Sequence, residues 1–245
     1  MSAVAEDRFL NGTVTVRQPL EGFRSGLDAV MLAAAVPACA GEEVLELGAG
    51  AGAASLCVAA RVPTCTVVGI EIDAELAELA SANAAANGMA ARVRFMAGDT
   101  FALPVAFKRE FAHVFSNPPF HGDAGDASPN AARERALRDT GRFAEWLQAG
   151  LKRVVSGGTF TTILRADRLG EALRALPERG IAIFPLWPRS GEAAKRIILQ
   201  IRKGMAAPLL LLPGLVLHQS DGRFTAAADH VLRDSASLAL GKPRL

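Results

Sequence analysis

The feature that most constrains the fold is a strand, a glycine-rich turn and a helix in succession at residues 43–61. Glu43-Val-Leu-Glu-Leu47 is a short apolar run typical of a buried strand. It is followed by Gly48-Ala-Gly-Ala-Gly52 and by a helical pattern that continues to about Arg61. Glycines at such a turn let a ligand approach the backbone without interference from Cβ atoms. This context predicts an α/β fold with a ligand at the turn.

Acidic residues follow the next two strands that the sequence predicts. Thr66–Glu71 ends in an acid 19 residues after Gly52, where a carboxylate can accept both ribose hydroxyls of a nucleoside ligand. The strand at residues 92–97 is followed by Gly98 and Asp99. Asp99 could accept a hydrogen bond from an adenine amine, or it could cap a helix formed by the residues after it.

A fourth predicted strand, Phe111–Phe115, leads into Ser116-Asn-Pro-Pro-Phe120. Pro118 and Pro119 cannot donate to a β-ladder, so the strand must end there. The asparagine carbonyl, rigid backbone and aromatic ring at a strand end suit a planar substrate that carries an NH2 group. The simpler interpretation is a strand followed by a proline turn.

The remaining pattern indicates one domain over residues 1–245, with an N-terminal cap segment at 1–40 and a core at 41–245. Residues 180–187 and 194–202 predict an antiparallel hairpin that closes a mostly parallel sheet. Residues 121–140 are small, polar and mixed in charge, and we expect a mobile loop beside the site. Other predicted elements are strands at 11–18 and 159–164, an extended stretch at 209–218, and helices at 29–36, 73–87, 142–155, 167–176 and 226–233.

Composition narrows the functional classes. The net charge is +2, from 27 basic and 25 acidic residues, which does not by itself indicate a nucleic-acid-binding protein. The longest apolar run, residues 208–217, is too short to cross a bilayer. Four scattered histidines show no metal-ligand spacing, so we expect no metal. Cys39, Cys57 and Cys65 have apolar neighbours and are expected to be buried reduced thiols.

These features, together with a start that lacks a signal-peptide pattern, favour a cytoplasmic protein without a membrane anchor. The oligomeric state stays open, with a monomer as the expectation.

Two nucleotide types compete for the glycine-rich turn. Nicotinamide-dinucleotide-binding domains have the pattern G-x-G-x-x-G, and Gly48, Gly50 and Ala53 fit its variant that ends in alanine. A methyltransferase site has an acid two residues before the first glycine, and Glu46 occupies that position. A carboxylate in mid-strand is costly to bury without a partner, and the ammonium of S-adenosylmethionine would be one.

In this order, Glu46-Leu-Gly-Ala-Gly-Ala-Gly52, Glu71, Gly98-Asp99 and Asn117-Pro-Pro-Phe120 resemble class I S-adenosylmethionine-dependent methyltransferases that act on amino nitrogens. With Gly22-Phe-Arg-Ser-Gly-Leu-Asp28, the chain resembles the bacterial tRNA(Val) adenine-N6 methyltransferase family, whose members modify the adenine next to the anticodon. The resemblance implies a Rossmann-like fold with helices on both faces, S-adenosylmethionine as the cofactor and tRNA as the partner.

The resemblance also implies a role for each site residue. Glu46, Gly48 and Gly50 would line the methionine end of the cofactor, Glu71 would bind the ribose and Asp99 the adenine. Asn117 and Pro118 would bind the target amine, and Phe120 would stack on the target base. The full cofactor-binding set is Arg24, Glu46, Gly48, Ala49, Gly50, Glu71, Asp99 and Asn117, and the catalytic set is Asn117, Pro118, Pro119 and Phe120. For Arg24 and Asp28, surface turn chemistry is an equal alternative.

Several alternatives stay open at this point. Position 120 is Phe where the family usually has Tyr, and Phe120-His121 makes the motif similar to ribosomal-RNA guanine-N2 methyltransferases. Glutamine-N5 protein methyltransferases, small-molecule acceptors, nicotinamide-dependent oxidoreductases and non-catalytic nucleotide-binding modules are further candidates. The side chains that could contact RNA phosphates, or simply form a solvated face, are Arg133, Arg135, Arg138, Lys195 and Arg196.

Overall fold

The central element is a mostly parallel sheet. The computed structural model describes residues 3–103, 107, 110–118 and 142–241, and within them this sheet has nine strands. The strands are β3 (Glu43–Leu47), β4 (Thr66–Glu71), β5 (Val93–Ala97), β6 (Phe111–Ser116), β7 (Val154–Arg165), β8 (Ile181–Trp187), β9 (Arg196–Arg202), β10 (Leu210–Leu211) and β11 (Leu215–Val216). Their order is β10-β8-β9-β7-β6-β3-β4-β5, and β11 also pairs with β8.

Helices cover both faces of this sheet, as expected of a Rossmann-like fold. They are α1 (Leu27–Ala35), α2 (Ala53–Arg61), α3 (Ala74–Ala86), α4 (Phe143–Lys152), α5 (Leu169–Ala175) and α6 (Ala226–Arg233). Side chains of β3 alternate between two cores: Val44 packs with α1 and α2, whereas Leu45 and Leu47 pack with α4 and α5. Glu46 therefore lies on the α1–α2 face.

The N-terminal segment forms a separate antiparallel hairpin of β1 (Val4–Phe9) and β2 (Val14–Pro19). Asn83 of α3 and Asn87, which follows the last residue of α3, bind the outer backbone edge of β2. Asn87 accepts from the Thr15 N–H and donates to its carbonyl, and Asn83 does the same with Arg17. The Asn83 amide also donates to the Ala51 carbonyl at 2.9 Å. The hairpin is thereby attached to the glycine-rich turn.

The site lies where the direction of strand succession reverses, between β3 and β6. Leu47 is paired with Ser116, so the residues that follow, Gly48 and Asn117, leave adjacent strands at the same sheet edge. Adjacent strands are about 4.8 Å apart. Open α/β sheets bind ligands at such a reversal point.

The predicted antiparallel hairpin is confirmed, with one addition. β9 lies between β7 and β8 and runs antiparallel to both, so β8 is parallel to the other strands. The helix predicted at 142–155 ends at Lys152, and Val154 and Val155 belong to strand β7. β-branched residues favour a strand there once the sheet supplies a partner.

The expectation that all three cysteines are buried is wrong for Cys39. Cys57 and Cys65 are buried, but Cys39 is exposed because it lies beyond Pro37, in the connection between α1 and β3. The loop expected at 121–140 lies outside the described residues. Among the described residues, no helix is long and apolar enough to cross a membrane.

Candidate active site

The glycine-rich turn is fixed to the end of β4 by backbone hydrogen bonds. The amides of Gly48 and Ala49 both donate to the Ile70 carbonyl, at 2.8 and 3.0 Å. Gly52 has a φ of +88°, and a Cβ at this position would lie 2.6 Å from the Phe95 ring. Both the backbone conformation and the close packing require glycine there.

Glu46 is only 2% exposed, and Ser55 of α2 supplies its hydrogen bonds. The backbone N–H of Ser55 donates to Oε2 at 3.0 Å, and the Ser55 hydroxyl donates to the same oxygen. No described residue donates to Oε1. Burial raises the pKa of this carboxyl from its ordinary value of 4.5 to about 8, against the opposing effect of the Ser55 hydrogen bonds. The sequence indicated that Glu46 needs a partner, and Ser55 provides one on one side only.

Glu71 is held at the end of β4 by two backbone donors. The Gly50 amide donates to Oε2 at 2.7 Å, and the Asp73 amide donates to Oε1 at 3.0 Å. Burial raises the pKa of Glu71, and its side chain is 8% exposed. The neighbouring Ile72 is 60% exposed, so an acid and an apolar side chain stand next to each other at this edge.

Asp99 follows β5 at the same sheet edge. One of its carboxylate oxygens accepts from the Phe101 backbone N–H at 2.8 Å, and the described residues 100–103 form a turn rather than a helix. Asp99 therefore caps a turn, which corrects the alternative of a helix N-cap. Its contact with adenine stays a prediction.

Asn117 differs from the acids because its side-chain oxygen is buried without a donor. Within the described part of the chain, Asn117 Oδ1 has no hydrogen-bond partner. Pro118 behind it is buried. A buried acceptor without a donor costs about 1–3 kcal/mol, and in native structures such an atom requires an explanation. Pro119 and Phe120 lie outside the described residues.

Two residues at the site were not anticipated from the sequence. One is Ser55, which partners Glu46, and the other is Trp146 of α4, which donates to the Ser116 hydroxyl at 2.7 Å. Trp146 fitted the apolar face of a helix in the sequence, and nothing in its spacing distinguished it from a core residue. Its contacts became apparent only when α4 was placed against the ends of β3 and β6.

Arg24 and Arg196 lie in ion pairs. Arg24 binds both carboxylate oxygens of Asp7 at 2.7 Å, and this pairing lowers the pKa of Asp7. Arg196 of β9 binds Asp28 of α1 at 2.7 Å. The ligand role of Arg24 stays a prediction. In the structure Asp28 joins α1 to β9 through its ion pair with Arg196. Lys195 is exposed, whereas Arg133, Arg135 and Arg138 lie outside the described residues.

The comparison with family models matches residues 26–144 to the methyltransferase small domain. A Yersinia enterocolitica protein named tRNA1(Val) (adenine(37)-N6)-methyltransferase is 33% identical over 219 residues, which is 83% of this chain and 82% of the relative. A Cronobacter sakazakii protein of the same name is 31% identical over 155 residues, and that match covers 63% of each chain, just under two thirds.

Solved structures agree on the fold. A protein of Agrobacterium tumefaciens described as a predicted O-methyltransferase superposes with a TM-score of 0.72 and 28% identity, over 86% of this chain and 98% of that one. TrmN from Thermus thermophilus superposes with a TM-score of 0.50 and 25% identity, over 72% of this chain and 48% of that one. The 16S rRNA N2 G1207 methyltransferase of T. thermophilus was solved with S-adenosylmethionine and guanosine. It superposes with a TM-score of 0.55 and 20% identity, over 82% of this chain and 50% of that one. This last likeness concerns the fold alone.

The residues at the sheet edge suit S-adenosylmethionine. The buried Glu46 carboxylate has one oxygen without a donor and can face an ammonium group, and Glu71 presents a fixed acid beside the glycine-rich turn. In the described residues, no group of three or more His, Cys, Asp or Glu side chains is arranged for a metal. Together with the relatives above, this chemistry leads to one conclusion. The chain belongs to the class I S-adenosylmethionine-dependent methyltransferases.

Proposed function

We propose that this methyltransferase modifies the exocyclic N6 amine of an adenine in tRNA. The observation that carries the proposal is the buried side-chain oxygen of Asn117, which no described residue satisfies. It stands at the end of β6, beside the start of the glycine-rich turn at the end of β3. An N–H group of the substrate is the partner that such an acceptor lacks.

The Asn117 oxygen and the Pro118 carbonyl would each accept one of the two N–H bonds of the amine. The lone pair of an exocyclic adenine amine is delocalised into the ring, which makes the nitrogen a poor nucleophile. Two acceptors on one side of the nitrogen draw it toward tetrahedral geometry and localise that lone pair. Bound S-adenosylmethionine supplies an electrophilic methyl group on a sulfonium.

Alignment is then the main contribution of the protein. Holding two reactants in a productive geometry lowers a barrier by about 7–11 kcal/mol. The amide oxygen of Asn117 and a backbone carbonyl are weak bases, so the proton released by the methylated nitrogen would pass to water. The proposed role of Phe120 is to stack on the base after the base leaves its stack in the RNA, and such stacking contributes about 1–3 kcal/mol per base.

The cofactor would be held by residues from three strand ends. Glu46 Oε1 would accept from the ammonium group, Glu71 from the ribose hydroxyls and Asp99 from the adenine amine. The backbone of residues 48–50 would pass along the cofactor, and Arg24 would be a further cofactor contact. For Glu71 this requires that its oxygens accept further hydrogen bonds beyond those from Gly50 and Asp73, which carboxylate lone pairs permit.

Two observations support tRNA as the polymer around the amine. The relatives that match most of the chain are named for adenine 37 of tRNA1(Val). Lys195 is exposed in the β8–β9 turn, at the same sheet edge as Asn117, where its ammonium could meet a phosphate. Because Arg196 next to it is engaged with Asp28, we assign the phosphate contact to Lys195.

A second candidate is the N2 amine of a guanine in ribosomal RNA. The sequence Asn117-Pro-Pro-Phe-His121 favours it, because this motif is similar to that of ribosomal-RNA guanine-N2 methyltransferases. An N2 amine also presents two N–H bonds, so Asn117 would serve either base.

Mass spectrometry of nucleosides from cells lacking the gene separates the two candidates. Loss of N6-methyladenosine from tRNA(Val), restored by the wild-type gene but not by Asn117→Ala, is the expected result. Loss of N2-methylguanosine from ribosomal RNA would overturn the tRNA assignment in favour of the second candidate. An unchanged content of both nucleosides would contradict both.

A further inference from the structure

One side chain of α4 contacts all three segments that form the site. Trp146 reaches the end of β6 before Asn117, the start of the glycine-rich turn after β3, and the turn after β5 that contains Asp99.

The first contact is a chain of two hydrogen bonds. The Trp146 indole N–H donates to the Ser116 hydroxyl at 2.7 Å, and that hydroxyl donates to the Leu47 carbonyl at 2.9 Å. Leu47 and Ser116 are also the last paired residues of β3 and β6. Beyond this pair no described ladder contact joins the two strands. Backbone bonds to Ile70 hold the Gly48 side of the gap, and the Trp146–Ser116–Leu47 bonds link the Asn117 side to it.

The second contact is the packing of the indole ring on the turn. Gly48 has a φ of +72°, and a Cβ there would lie only 3.0 Å from the Trp146 ring. The ring also meets Phe101 edge to face, with centroids 5.7 Å apart, and the Phe101 N–H is the donor to Asp99. The Phe101 ring also has the guanidinium of Arg142 on its face, 3.5 Å from the ring centroid.

We propose that Trp146 is a positioning residue that sets the amine-binding Asn117 against the glycine-rich turn. The role of Asn117 in this proposal rests on the proposed function. The proposal goes further by naming the side chain that fixes the distance between the cofactor, as methyl donor, and the substrate amine, as methyl acceptor. The ring positions the turn and the loop at Asp99, whereas the N–H bond to Ser116 positions the strand end that carries Asn117.

The hydrogen-bond part of the proposal is tested with Trp146→Phe, Ser116→Ala and the double variant. Each single change is expected to lower the single-turnover rate of methyl transfer to tRNA by about tenfold, since small displacements of reacting groups are costly. The double variant should also be about tenfold slower, rather than about 100-fold, because both changes break the same link. Cofactor affinity should stay within about twofold in Ser116→Ala, because this variant keeps the indole ring that packs on Gly48.

Controls separate positioning from general stability. Ser116→Thr keeps the hydroxyl and should retain a higher rate than Ser116→Ala. Trp187→Phe removes a partly buried indole that donates to the Pro213 carbonyl at 3.0 Å. Trp187 lies on β8, three strands from β6 in the sheet, so the rate should stay unchanged. A wild-type rate in Trp146→Phe, or independent and multiplicative losses in the double variant, would overturn the proposal.

Fluorescence tests the ring contact without any methyl acceptor. The chain has two tryptophans, so Trp187→Phe leaves Trp146 as the reporter and Trp146→Phe leaves Trp187. S-adenosylhomocysteine should change the emission of Trp146 with the dissociation constant found by calorimetry, and it should leave Trp187 unaffected. Binding without any response of Trp146 would overturn the proposal. Failure of wild-type protein to methylate RNA would instead refute the proposed function.

Discussion

The two sides of the site differ in where their hydrogen-bond partners come from. On the cofactor side, the chain itself supplies donors to the acids: Ser55 to Glu46, and Gly50 and Asp73 to Glu71. On the acceptor side, the buried oxygen of Asn117 receives no donor from the described residues. The acids are therefore held in place before any ligand binds, whereas under the proposed function the Asn117 oxygen would gain its donor only from the substrate amine.

The difference also has an energetic meaning. An acid fixed by internal donors costs little reorganisation when its ligand arrives. A buried carbonyl without a donor costs about 1–3 kcal/mol in the empty protein, and a bound amine recovers that cost. Loss of the Asn117 oxygen should therefore affect the chemical step, and loss of an acid should affect cofactor affinity.

The largest expected effect is that of Asn117→Ala. Methyl transfer should fall by about 100- to 1000-fold, the usual loss when a group that orients or stabilises the reacting atoms is removed. The affinity for S-adenosylmethionine, measured by calorimetry, should change by less than about threefold. The thermal unfolding midpoint should not decrease, because the variant removes an unsatisfied polar atom. A rate near that of the wild type would show that Asn117 does not bind the amine.

Glu46→Gln should have the next largest effect, on cofactor binding. Replacing the carboxylate by a neutral amide should weaken S-adenosylmethionine binding about 10- to 100-fold, since hydrogen bonds to charged groups contribute about 1.5–3 kcal/mol. For the wild type, affinity should increase as the pH rises toward 8, because the Glu46 pKa is about 8 and its ionised form pairs with the ammonium. Calorimetry between pH 6 and pH 9 follows this change.

The same pKa predicts the opposite trend for the stability of the empty protein. Glu46 ionises near 4.5 in the unfolded chain and near 8 in the folded one. Its contribution to stability is thus fully present below pH 4.5 and is lost as the pH rises through 8. Glu46→Gln should flatten this part of the curve of unfolding free energy against pH. If Glu46→Gln kept the wild-type slope of unfolding free energy against pH, Glu46 would not be the group that causes this slope.

Asp99→Ala should have a smaller effect, limited to the adenine end of the cofactor. A single hydrogen bond contributes about 0.5–1.5 kcal/mol, so the affinity should fall about 3- to 10-fold. Asp99→Asn keeps an oxygen that can accept from Phe101 and serves as the matched variant for the turn. If Asp99→Ala reduced stability but left cofactor affinity unchanged, Asp99 would be a turn residue only.

The smallest effect is expected at Lys195. Lys195→Ala should raise the KM for tRNA about two- to threefold and reduce the slope of log affinity against log salt by about 1, as expected for one lost phosphate contact. Arg196→Ala is the contrasting variant, because its loss removes the ion pair with Asp28 and should lower the unfolding midpoint. Equal salt slopes for wild type and Lys195→Ala would exclude the phosphate contact.

Local patterns were sufficient to predict the strand ends that form the site. Thr66–Glu71 and Ala226–Arg233 have the bounds that the sequence predicts, and the antiparallel pairing of β8 with β9 was anticipated. Strand β1 was missed because residues 6–8 are three charged residues in a row, so its sequence lacks the apolar–polar alternation of a half-buried strand. The burial of its side chains does alternate in the structure.

Side-chain partners across elements could not be read from the sequence. Ser55 and Trp146 have no unusual spacing, and their roles depend on how α2 and α4 pack against the ends of β3 and β6. The exposure of Cys39 likewise depends on where the chain turns after α1. Such contacts arise from the topology of the sheet and not from local propensity.

A crystal structure with S-adenosylhomocysteine would show directly which residues hold the cofactor and whether Asn117 stays without a donor. It should show the ligand along the glycine-rich turn, with its ammonium within hydrogen-bond distance of Glu46 Oε1 and its ribose at Glu71. The Asn117 oxygen should still receive no donor from the protein. A ligand bound elsewhere, or an Asn117 amide turned to a donor inside the protein, would contradict the account.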